Sequence, residues 1–306
     1  MGEASRRGRR RHELDCRLDS RIASFFEVEP PSPFFHYTSW AGATAILESR
    51  QLRATAHDCT NDDHELVSVD QTVLDVLGQL QPDATGSRRR VLALLIDGYE
   101  QYKVSRKVPT YLACFSMERD SLVMWNRDYS ETGSGLCLAF RFLPDEKPTT
   151  VYGLGSTFLR VDYSEESWRR NLLNRFAQIL AEIPESEVDL ECVTLVAVAM
   201  YRVAALAAIQ GKQPQWEVEK ELRCVAVTAR DSAVTEVLWD SGGQSKRGVY
   251  LPMRAEGRLP ALDEVIIGPR QDQQEARRKL MELLTTVGYG TEDAPMPIVS
   301  SSAHLT

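Results

Sequence analysis

The spacing of apolar positions changes several times along the chain, and each change marks an element. Residues 1–30 show little periodicity and are expected to form a flexible basic N-terminal arm, with a short helix around Leu14–Phe26. Pro30, Pro31 and Pro33 then force an extended entry into a short strand at Phe34–Tyr37. Ser39 is placed to cap a helix over Trp40–Arg50, where Ala43, Ile46 and Leu47 share a face. Leu66, Val69, Val73, Val76, Leu77 and Leu80 repeat with helical period, and Pro82-Asp83 and Gly86-Ser87 end that helix. A further helix is expected over Arg88–Lys107.

After Pro109 the runs shorten. Thr110–Ser116 reads as a buried strand, Ser121–Asn126 as a helical turn and Leu136–Phe142 as a strand. Tyr152–Tyr163 predicts a strand pair turning at Gly153 and Gly155, followed by helices over Glu165–Ile183 and Glu185–Ile209 that stop at Gly211. Trp216–Val227, Val249–Leu251 and Glu264–Ile267 read as strands, Gln274–Val287 as a helix ended by Gly288 and Gly290, and Ile298–Val299 as a last strand. Strands thus occur without steady alternation with helices. The pattern predicts an α+β fold with a mixed or antiparallel sheet and flanking helices. Residues 31–306 are expected to form a single domain with a mainly helical insertion over about 164–212.

Composition narrows the class. With 306 residues and 43% hydrophobic content the chain can build one large core or two modest ones, and a net charge of −8 gives no overall attraction to nucleic acid. Arg6, Arg7, Arg9, Arg10 and Arg11 are the local exception: either a solvated terminus or a phosphate-contacting arm. Cys16, Cys59, Cys114, Cys137, Cys192 and Cys224 are scattered without a C-x-x-C pair, which argues against a zinc site and for reduced thiols in a cytoplasmic protein. The N-terminus lacks the apolar core of a signal peptide. The apolar run Val193–Ile209 is shorter than the ~20 residues of a spanning helix and reads as a buried one.

Candidate chemistry gathers at the ends of apolar runs. If Trp216–Val227 is one strand, Glu217, Glu219, Glu221 and Arg223 share a face. They are then either a solvated strand end or carboxylates at a cleft, able to bind a sugar hydroxyl and stabilise positive charge on a ribose. His36 ends its strand just before a helix start; it is either satisfied by backbone or bonded to a ribose hydroxyl or phosphate, while Thr38 and Ser39 read as cap residues. Asn61-Asp62-Asp63-His64-Glu65 reads as a helix cap, with a metal site using Asp62, His64, Glu65 and His36 as the sharper alternative. Trp125 and Tyr129 lie four apart, as core or as a cleft wall. Ser116 ends a strand without a Ser-His-Asp pattern, and no G-x-S-x-G, P-loop or G-x-G-x-x-G is present.

In this order the motifs resemble the bacterial family called domain of unknown function 2971. The carriers are the H-Y-T strand at His36, Ile46 to Leu52, Asn61-Asp62 with Glu65, Cys114-Phe115-Ser116, Met124-Trp125 with Tyr129, Gly135 with Phe140, Glu219-x-Glu221-x-Arg223, and Ile266 to Pro269. The resemblance spans about residues 34–302, with Asn126-Arg127-Asp128 bulkier and more charged than the pattern. More distantly the chain is similar to the ADP-ribosyltransferase fold, which places a His on an early strand, an aromatic or Ser on a middle one and a Glu on a late one.

That likeness implies an NAD-using enzyme of bacterial defence (including antiphage defence), toxin action or stress response, with NAD as co-substrate. His36 would hold the adenosine ribose, and Tyr129 or Tyr37 would stack on nicotinamide. Glu221 would stabilise the oxocarbenium-like transition state, with Glu219 on the acceptor side. Thr38, Ser116, Trp125 and Arg223 complete the expected cofactor-binding set, with no metal. The alternatives are a non-enzymatic nucleotide- or partner-binding sensor module, and a nucleic-acid-acting enzyme recruited by Arg6 to Arg11. The acceptor is left open between protein and nucleic acid.

Overall fold

The structure is a computed structural model that describes residues 3–26, 33–59, 65–104, 110–141, 154–186, 188–228, 235–241, 244–252, 261–289 and 296–303. It is a mixed α/β protein with a mainly antiparallel open sheet, as the pattern predicts. The chain divides into two compact units, one drawn from 1–27, 61–107 and 161–214, the other from 28–60, 108–160 and 215–306.

The first unit is helical. It holds α1 (Glu3–Phe26), α3 (Glu65–Leu80), α4 (Gly86–Val104), α6 (Glu165–Ala181) and α7 (Leu190–Gln210). The expected arm is therefore a helix for most of its length. Leu14, Leu18, Ile22 and Phe26, spaced by four, bury one stripe, and the arginines ahead of them extend the helix at little cost in propensity. The helical part is accordingly wider than an insertion at 164–212. α6 and α7 are capped by Ser164 and Asp189, whose side chains accept the Ser167 and Cys192 amides. Trp168 packs in the interior and donates its indole N–H to the Ala207 carbonyl at 2.6 Å.

The second unit contains β1 (Phe34–Thr38), β2 (Gln51–Ala56), β3 (Thr110–Ser116), β4 (Leu136–Arg141), β5 (Leu154–Arg160), β6 (Glu221–Thr228), β7 (Val237–Ser241), β8 (Gln244–Pro252), β9 (Ala261–Ile267) and β10 (Ile298–Ser300). Its helices are α2 (Trp40–Ser49), α5 (Leu122–Trp125) and α8 (Gln273–Thr286). Ser39 caps α2 through the Gly42 amide, at the position expected for it.

The register shows a fork in the sheet. One edge of β3 pairs along its length with β6, from Thr110↔Val227 to Ser116↔Glu221. The other edge is shared. Its end meets β1 at Phe35↔Ser116, and its start meets β2 at Thr55↔Leu112 and Ala56↔Tyr111. From there β1 leads to β4, β9 and β10, and β2 leads to β8 and β7.

Two apolar clusters cover the sheet. Phe34, Phe115, Phe140, Leu138, Leu222 and Val265 lie on one face, with Ala276, Leu280 and Leu284 of α8 over them. Phe35, Tyr37, Cys137, Ala139 and Ile266 lie on the other, under Met124 and Trp125.

Candidate functional site

The segment expected to be one strand from Trp216 is not. Pro214–Glu219 forms a short 3-10 turn, Lys220 adopts φ +45°, and β6 begins at Glu221. Proline at the start and a left-handed residue before the strand break the alternation that would have aligned four charges. Glu217 instead reaches Lys220 at 3.3 Å on the surface.

Glu219 and Glu221 are brought together by a different route. Ser116 lies opposite Glu221 across β3 and β6, and its hydroxyl donates to the Glu219 carbonyl at 2.8 Å. Glu221 accepts from the Arg223 guanidinium at 2.8 and 3.3 Å, a two-pronged pair in which both side chains are almost wholly buried. Glu219 pairs with Arg127 at 2.9 Å, and the Arg127 guanidinium lies over the Trp216 ring at 4.6 Å. The site thus balances two carboxylates with two guanidinium groups.

Tyr129 stands beside this network with 44% of its surface exposed, and its hydroxyl donates to the Met124 sulfur at 3.3 Å. Burial raises its pKa, and the charge of Glu219 raises it further, so the phenol stays protonated. The exposed Cys114 lies opposite Arg223 across β3 and β6.

Tyr37 and Trp125 are interior residues. Their rings meet edge-on at 4.9 Å; the Tyr37 hydroxyl donates to the Glu118 carbonyl and accepts the Ser121 amide. The Trp125 indole donates to Asp120 at 2.8 Å. Burial pushes the Tyr37 phenol well above its ordinary range. Both are buried, so neither offers an open ring for stacking.

His36 sits elsewhere. It pairs in register with Leu138, and its ring lies 5.6 Å from that of Phe115, on the face of Phe34 and Leu222. Glu221 belongs to the opposite face, with Ser116 and Phe35. The His36 Nδ1–H donates to the Cys114 carbonyl at 2.9 Å, at the fork where β1 and β2 part along β3. Burial lowers its pKa, and that bond fixes the neutral tautomer with Nε2 as acceptor. Thr38 follows His36 on the same face, beside the start of α2.

Asn61, Asp62, Asp63 and His64 lie outside the described residues, and Glu65 opens α3. Among the described residues no group of three His, Cys, Asp or Glu could hold a metal. Arg7, Arg9, Arg10 and Arg11 lie along the exposed first turns of α1.

The sequence pattern singled out Glu219, Glu221, Arg223, Ser116 and Tyr129, which the structure gathers. It did not single out Arg127 as a partner of Glu219. Arg127 is marked in the sequence by its place among the polar flanks of Trp125 and Tyr129 and by a segment more charged than the family pattern.

Among the described residues α7 is the one helix long and apolar enough to cross a membrane, and half of its most apolar window is buried within the protein. No curated protein and no solved structure matches the chain. Residues 124–224 match the model of a family described as protein of unknown function (DUF2971). The matched segment runs from Met124 to Cys224 and holds both ion pairs of the site, so over that span the resemblance to this family is borne out.

Proposed function

We propose that the second unit binds NAD and transfers its ADP-ribose portion, with Glu221 as the catalytic carboxylate. The observation that carries this reading is the cross-strand pair Ser116↔Glu221 beside the half-exposed Tyr129. It sets a middle-strand Ser and a late-strand Glu on one face, with an aromatic side chain next to them. In the reaction the ribose C1′–nicotinamide bond breaks, its electron pair leaves with nicotinamide, and positive charge develops on the ribose. A fixed carboxylate stabilises that charge. Arg223 fixes Glu221, Glu219 stands on the acceptor side, and Tyr129 offers a ring for the nicotinamide. His36 is not a member of this group, since it lies across the sheet. The setting in bacterial defence, toxin action or stress response rests on the family resemblance.

The second reading is a non-enzymatic nucleotide- or partner-binding sensor. It is favoured by the burial of Glu221 in its two-pronged pair with Arg223, an arrangement that suits a structural ion as well as a reactive one. Calorimetry with NAD, followed by nicotinamide release from wild type and Glu221→Gln, separates them. Release that depends on Glu221 establishes the transferase; NAD binding without release establishes the sensor, and no binding at millimolar NAD removes both as readings for NAD.

A further inference from the structure

In the second unit β2, β8 and β7 pair in that order, and the two faces of these strands differ. On β2, Leu52, Ala54 and Ala56 bury into the core, while Arg53 and Thr55 alternate to the outside. On β8, Val249 and Leu251 are buried, and Tyr250, directly opposite Arg53, is 46% exposed. On β7, Trp239 lies opposite Lys246 and so takes the same face as Tyr250 and Arg53.

Gly248 stands among these side chains. A Cβ there would lie 2.8 Å from the Trp239 ring. Glycine thus lets that ring lie across β8, with the Arg53 guanidinium 4.2 Å from its centroid. Among the described residues no carboxylate pairs with Arg53. Asp240, the only acidic residue in the three strands, alternates to the opposite face. Glu236 and Asp58 serve that opposite face too, where both pair with Arg247. What remains on the outer face is two aromatic rings and two cations, with no acidic strand residue beside them. The face continues onto β3, where Thr55 lies opposite Leu112, and Cys114, next on that side, lies opposite Arg223. It is therefore the face of the sheet that carries Glu221.

We propose that the outer face of β2, β8 and β7 binds a single-stranded nucleic acid. Bases stack on Tyr250 and on the Arg53–Trp239 pair, and phosphates meet Arg53 and Lys246. The residue types select this occupant. An acidic peptide would pair with the cations and leave the rings without partners. A duplex keeps its base faces stacked on one another, and a mononucleotide covers one ring of the two. The inference goes beyond the NAD reading and stands without it.

The test is fluorescence anisotropy of the full chain with a labelled single strand of ~12 nucleotides, within the span of such platforms. Saturable binding is expected, weakened about tenfold or more in Tyr250→Ala and in Arg53→Ala. Both positions are exposed, and an unchanged thermal melt verifies that the variants fold. With two cations at the face, log affinity against log salt should fall with a slope no steeper than about −1.4. No saturable binding by ~0.1 mM protein, the weak end of non-specific nucleic-acid affinity, would overturn the proposal. So would binding indifferent to both variants, or equal affinity for a duplex or for AMP. A steeper slope, with binding lost in Arg7→Glu/Arg10→Glu and kept in Tyr250→Ala, would assign the nucleic acid to α1 and overturn it as well.

Discussion

Replacing one member of the Glu221–Arg223 pair tests whether the site is held as described. Both side chains are about 95% buried and bonded at 2.8 and 3.3 Å. Removing one partner leaves a buried charge without its counter-ion, which costs roughly 3–5 kcal/mol, whereas replacing both with apolar groups of similar volume is near neutral. Arg223→Met and Glu221→Leu should each lose ~3–5 kcal/mol, and the double variant should return close to wild type. At about 2–4 °C per kcal/mol for a unit of this size, each single variant should melt roughly 6–20 °C lower. Urea unfolding followed by tryptophan fluorescence reads the cycle, because Trp125 and Trp216 both belong to this unit. Exposed ion pairs contribute only ~0–1 kcal/mol. Single-variant losses under about 1 kcal/mol, with no coupling in the double variant, would show that the pair is solvated and would refute the account of a fixed carboxylate.

Asp120→Ala should loosen the C-terminal segment, because Asp120 accepts from Ser301, Ser302 and the Trp125 indole. The loss should be ~2–3 kcal/mol, with faster hydrogen exchange at residues 298–303. Burial alone would raise the Asp120 pKa; these hydrogen bonds outweigh it and leave the carboxyl below its ordinary 3.8, so its contribution holds above that value and fades as pH falls below it. His36 gives a slope of the same sign for a different reason. Burial lowers its pKa from the ordinary 6.5, so the unfolded chain binds the proton more readily, and stability should decline as pH falls below 6.5. His36→Phe should flatten that slope in pH-dependent urea titrations, and an unchanged slope would refute the burial. Gly86→Ala should destabilise the helical unit by more than ~1 kcal/mol in thermal melts, since Gly86 holds φ +51° and a Cβ there would lie 1.8 Å from the Glu185 carbonyl oxygen.

Much of the fold was readable because local signals agreed with it. Ser39 and the Ala43, Ile46, Leu47 face gave α2, and the dense apolar runs gave β3 and β4. β2 and β7 were not anticipated. Gln51–Ala56 and Val237–Ser241 are short and mixed; the first pairs with the distant β3 and β8, and the second with β8 directly after it. The short helix expected around Leu14–Phe26 coincides with the buried half of α1, but the arginine run ahead of it carries no apolar periodicity, and its helix is not legible in the sequence.

The site was legible in its residue types and illegible in its geometry. Which face a strand residue takes depends on the parity of its pairing with strands far away in sequence. That parity set His36 apart from Glu221, although both end apolar runs. The turn at Pro214–Glu219, with Lys220 at φ +45°, likewise replaced an extension that looked like strand. The Arg127–Glu219 pair joins residues too far apart in the chain for spacing to suggest it.

The most direct test of the central claim is nicotinamide release from NAD by wild type and Glu221→Gln, each first shown to be folded and to bind NAD by calorimetry. The account predicts that both bind, that wild type releases nicotinamide, and that Glu221→Gln does not. Equal release by the two proteins would contradict it.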